Sequence, residues 1–142
     1  MINFASDLSL GHELTWALQQ TITTDTDTDS AAIDLNDYVG PVHIFISLGN
    51  YGDASTQTVV KLRTSATSGG TYADVAGATK TFAASATAND NSAHMIVARD
   101  WPSRYGKVRV TTSGGGTPSV PITVTVLGRK GRGGPTGVKT NG

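Results

Sequence analysis

Residues 41–49 read PVHIFISLG, and the alternation within them decides the fold. Val42, Ile44, Ile46 and Leu48 fall on one side of an extended chain, with His43, Phe45 and Ser47 on the other. That is the period of a strand with one buried face. The run stops at GNYGD (49–53), a cluster of turn-forming residues.

Working outward, the same signature recurs. TQTVVKLRTSA (56–66) sets Val60 and Leu62 against Lys61 and Arg63, KVRVTT (107–112) sets Val108 and Val110 against Lys107 and Arg109, and VPITVTVLG (120–128) alternates Val120, Ile122, Val124 and Val126. Between them lie SGGTYADVAGA (68–78), read as a turn with a short strand over Tyr72 and Val75, then TKTFAASA (79–86) and AHMIVARD (93–100). Seven or eight short strands at about 8–12-residue spacing predict an all-β fold, an antiparallel β-sandwich or jelly roll. Composition agrees, with 17 Gly, abundant Thr, Ser, Ala and Val, and Glu13 as the one glutamate in 142 residues.

The flanks lack this pattern. LGHELTWALQQTI (10–22) suits either a helical turn or an extended arm, and residues 21–37 are rich in Thr and Asp. The organisation expected is an N-terminal arm and acidic linker over 1–30, a sandwich over 31–128, and a flexible basic tail over 129–142. The tail is Gly-rich, carries four bases and has too few apolar residues to order itself. No cysteine is present, which excludes disulfides and thiolate metal sites. No basic, apolar leader opens the chain and no run nears the roughly 20 apolar residues of a membrane span, so a soluble chain without an export signal of its own is expected.

Net charge is zero, but its halves are opposed. Residues 1–53 hold eight acids and no Lys or Arg; residues 54–142 hold all eleven bases against Asp74, Asp90 and Asp100. These charges either interleave over one surface or steer the meeting of subunits.

Candidate chemistry is sparse. Asp25, Asp27 and Asp29 match the first three ligand positions of a calcium loop, but Ser30 stands where the loop needs Gly and Asn36 where it needs Glu. A solvated linker or edge strand is expected there, with a weak cation site as the alternative. His12, His43 and His94 lack metal-ligand spacing. No G-x-S-x-G elbow, carboxylate pair or phosphate loop is present, so no enzyme, no cofactor and no metal is expected. The RKGR cluster (129–132) has no interleaved aromatics, so no specific nucleic-acid binding is expected. Trp16, Trp101 and Tyr105 could offer sugar a platform; Trp101 closing one end of the sandwich is the plainer reading.

Three stretches taken in order resemble small structural proteins of tailed bacteriophages, most nearly capsid decoration (cement) proteins. They are AAIDLNDYVGPVHIFISLG (31–49), VVKLRTSATSGGTYADVAGA (59–78), and RYGKVRVTTSGGG with PITVTVLGRKGRGGP (104–135). Residues 1–30 have no counterpart in that pattern. The resemblance implies a non-enzymatic virion protein, assembled in the host cytoplasm and placed on the capsid surface. It implies the major capsid protein as partner and self-association, commonly as a homotrimer, with no membrane partner. The capsid contacts expected are Phe4, Leu8, Leu10 and Trp16 as apolar anchors, and Arg129, Lys130 and Arg132 toward an acidic surface. Two alternatives stay open: a carbohydrate-binding module using Trp101, and another head–tail or tail component.

Overall fold

A computed structural model describes residues 13–50, 56–84, 91–114 and 117–129, with the backbone alone for residues 13–17. Within these residues the chain forms nine strands: β1 Glu13–Ile22, β2 Asp27–Asp29, β3 Ile33–Asp34, β4 Val42–Leu48, β5 Gln57–Ser65, β6 Ala73–Phe82, β7 Ala93–Ala98, β8 Tyr105–Ser113 and β9 Val120–Gly128. One turn of 3-10 helix, Leu35–Asp37, follows β3. The strands make two antiparallel sheets, ordered β1-β9-β4-β7 and β2-β8-β5-β6, with β3 also on β8. The antiparallel sandwich that the alternation predicts is the fold of the chain.

The core lies between the sheets. Val42, Ile44, Ile46 and Leu48 of β4 are buried, as are Val60 and Leu62 of β5, Val108 and Val110 of β8, and Val120, Ile122, Val124 and Val126 of β9. Each β-branched or Leu side chain buried this way contributes about 1.5–3 kcal/mol by leaving water. Phe82, Ile96 and Tyr38 close the sides.

Three expectations change. First, residues 13–29 belong to the sandwich rather than to an arm. β1 pairs with β9 over its whole length, from Glu13↔Gly128 to Ile22↔Val120, and β2 pairs with β8. A register shift between Trp16 and Leu18 makes Ala17 an extra residue, which breaks the phase of the sequence pattern. The same pairing replaces the alternative of a helical turn in this stretch.

Second, β6 is one strand rather than two pieces. Its pairing jumps from Arg63↔Asp74 to Lys61↔Thr79, and Gly77 sits in this bulge at φ +75°. Glycine reaches that region without Cβ strain. Third, the Thr- and Asp-rich stretch 21–37 contains local structure: Asp34 caps the 3-10 turn by accepting from the Asn36 N–H at 3.1 Å, and Leu35 is buried.

Candidate interaction surfaces

The two ends of the sandwich chain lie side by side. β1 starts at Glu13 and β9 ends at Gly128, and these two residues are register partners. Residues 1–12 and 130–142 therefore join the domain at one corner. The exit of β9 is fixed by two contacts. The Val39 N–H donates to the Arg129 carbonyl at 2.8 Å. Tyr38, buried, covers Gly128 so closely that a Cβ there would fall 2.2 Å from the Tyr38 Cδ1. Arg129 itself is exposed. Phe4, Leu8, Leu10, Lys130 and Arg132 lie outside the described residues, and Trp16 is in β1 in register with Thr125.

The outer face of the second sheet is built from charges in a set order: bases on the two middle strands, acids on the flanking ones. Across one row, Asp29, Arg109 and Lys61 follow one another; across the next, Lys107, Arg63 and Asp74 do. The Arg109 guanidinium donates to Asp29 Oδ1 at 2.6 Å and Oδ2 at 2.8 Å, and to Asp27 Oδ2 at 2.8 Å. Thr111 Oγ1 donates to the second Asp27 oxygen at 2.6 Å. Lys61 and Arg63 each reach Asp74 at 2.8 Å, and Arg63 also donates to the Tyr72 carbonyl. Arg104 grips Asp34 at 2.6 Å, and Lys107 sits 4.7 Å over the Tyr72 ring.

This face resolves the acidic run. Successive aspartates two apart on a strand share a side and repel unless a cation stands between them. For Asp27 and Asp29 the cation is a guanidinium from the chain's own β8, a planar fork that suits two carboxylates. Among the described residues no group of three or more His, Cys, Asp or Glu is placed to hold a metal. Among the described residues, the opposed charges of the two halves thus interleave within one molecule.

The clasp carries a pH signature. Hydrogen bonding from Arg109 holds Asp29 below the usual carboxylate range, against the opposing effect of its burial. Hydrogen bonding from Lys61, joined by Arg63, does the same for Asp74. Both folded values lie below the unfolded value of about 3.9, so the contribution is complete above that value and lost as pH falls through the folded values. The melting temperature should hold level from pH 7 to about 5 and drop below about 4. A melting temperature that rises on acidification through pH 4 would contradict this.

The first sheet shows the opposite chemistry. On the three strands β4, β7 and β9 its outer face is formed by His43, Phe45 and Ser47, by Ala93, Met95 and Val97, and by Thr123, Thr125 and Leu127. No Asp, Glu, Lys or Arg stands among them. Phe45 and Met95 are register partners, 41% and 46% exposed, with Thr125 on the other side of Phe45. His43 stacks on Phe45 with ring centroids 6.4 Å apart. A shallow groove runs along this row. The polar side of PVHIFISLG already carried the signal: it holds no charge.

Trp101 is half-buried and packed against the core, as the plainer reading expects. His94 meets the edge of the Phe82 ring at 6.4 Å, bridging the sheets. No helix of the described residues is long and apolar enough to cross a membrane.

No protein-family model matches this chain, and no curated protein does. Among solved structures, the PBSX exported protein XepA superposes with a TM-score of 0.55 at 8% identity, over 83% of this chain and 37% of that one. A chain of infectious bursal disease virus, Gx strain, gives 0.53 at 12% identity, over 89% of this chain and 33% of that one. This chain thus spans about a third of the length of these two solved chains. At these identities, what the three share is the sandwich fold.

Proposed function

We propose that this chain is a non-enzymatic structural protein of a phage virion that binds the outer surface of the capsid as a trimer and stabilises it. The observation that carries this reading is the shared corner. With Glu13 and Gly128 in register, the segment bearing Phe4, Leu8 and Leu10 and the segment bearing Lys130 and Arg132 start from one place on a rigid domain. Two tethered segments that reach the same neighbourhood act at high effective concentration, so a weak grip by each becomes a firm grip by both. The apolar segment supplies burial, and the basic one suits an acidic surface. That one solved chain of this fold comes from infectious bursal disease virus agrees with the reading.

The test is co-sedimentation with capsids built from the cognate major capsid protein. Truncations must stop at residue 12 and begin at residue 130, because Glu13 and Arg129 take part in the fold. Removing either segment should weaken binding, and removing both should lower it by about 10²–10⁴-fold while the melting temperature holds. A doubly truncated chain that still pellets with capsids at full affinity would overturn the reading.

A further inference from the structure

The charge-free face belongs to the same sheet as the shared corner, but its centre, Phe45 and Met95, lies on β4 and β7 rather than on the β1–β9 pair that forms the corner. We propose that this face is the surface on which copies of this chain meet one another. This rests on the oligomeric part of the reading above. Its test reads mass, not capsid binding, so either can fail alone.

The placement of charge singles out the occupant. Copies arranged about a two-fold or three-fold axis turn the same residues toward that axis, so each residue near it meets its own image. A lysine or aspartate there would face a like charge at short range, and removing it from water would add a second cost. A face free of charge avoids both. In this chain the second sheet carries Asp27, Asp29, Lys61, Arg63, Asp74 and Arg109 outward, whereas the described outward side chains of the first sheet carry no acid, Lys or Arg. A strongly acidic or basic partner would leave its charges without counterparts here. A second copy leaves none. At the centre of the face, Phe45 and Met95 supply aromatic and thioether contact of the kind enriched at interfaces, and the hydroxyls of Ser47, Thr123 and Thr125 surround them.

Size sets the strength. Four strands about 4.8 Å apart, with about seven residues at about 3.3 Å each, give roughly 400 Å² in flat projection. Two such faces approach the lower bound of about 1,000 Å² for a specific contact. The association is therefore reversible and depends on concentration.

Sedimentation velocity on the full chain, from about 1 to about 100 µM, should show a mass of two or three copies growing in with concentration. Phe45→Lys and, separately, Met95→Lys should each weaken association by about tenfold or more. Both side chains are exposed, so at low protein concentration, where association adds nothing, the melting temperature should barely move and loss of fold is excluded as the cause. Mixing Phe45→Lys with Phe45→Glu should restore association, because opposite charges then face each other. A chain that stays monomeric throughout the range, or an oligomer that both lysine variants leave intact, would overturn the proposal. So would a monomer retarded in gels containing a neutral polysaccharide, which would give the face to a glycan instead.

Discussion

Gly128→Ala should cost the sandwich about 3 kcal/mol, a fall of roughly 10 °C in melting temperature for a domain of this size. The new methyl would fall 2.2 Å from the Tyr38 Cδ1 and 2.7 Å from its Cε1, far inside van der Waals contact. Neither side can yield freely. Gly128 is held in the β1–β9 ladder opposite Glu13, and Val39, next to Tyr38, is bonded to the Arg129 carbonyl at 2.8 Å. Relief must come from turning a buried ring or opening the end of β9. Both disturb the corner from which the terminal segments leave, so the proposed capsid binding should weaken along with stability. A double-mutant cycle with Tyr38→Leu locates the cause. If the ring is the obstacle, Gly128→Ala will cost clearly less in the Tyr38→Leu background. Equal costs in both backgrounds would refute the contact.

What the sequence made legible was decided by phase. β4, β5, β8 and β9 keep strict alternation because each has one face in the core and one in water, without a bulge among their buried positions. β1 was hidden because Ala17 shifts its register, and β6 was split because the bulge at Gly77 interrupts its pairing. β2 and β3, of three and two residues, are too short to show any period. They form because β8 is already there to receive them: the Ser30 N–H donates to the Val108 carbonyl at 2.9 Å, and Arg109 clasps Asp27 and Asp29. The separation of acids and bases between the halves was plain in the sequence. That they meet across 70 to 82 residues is tertiary information. The corner was half legible in the same way. Composition marks where a basic tail begins, but only the fold pairs that point with residue 13.

The alternation that decides the fold can itself be tested on neighbouring residues. Ile44→Ala should cost about 3 kcal/mol, through lost burial and the cavity left behind. Phe45→Ala should change stability by no more than about 0.5 kcal/mol. By residue volume alone the order would be reversed, since the phenylalanine loses more atoms. Position decides instead: Ile44 is 1% exposed between Ile96 of β7 and Val126 of β9, whereas Phe45 is 41% exposed on the outer face. Urea melts at low protein concentration separate this effect from self-association, which would otherwise add a stabilising contribution that Phe45→Ala removes. With equal urea slopes, the difference in midpoint reports native-state packing rather than a changed unfolded chain. Comparable losses for the two variants at high dilution would mean that Phe45 is covered within a single copy. The outer face of the first sheet would then not be free to receive another copy.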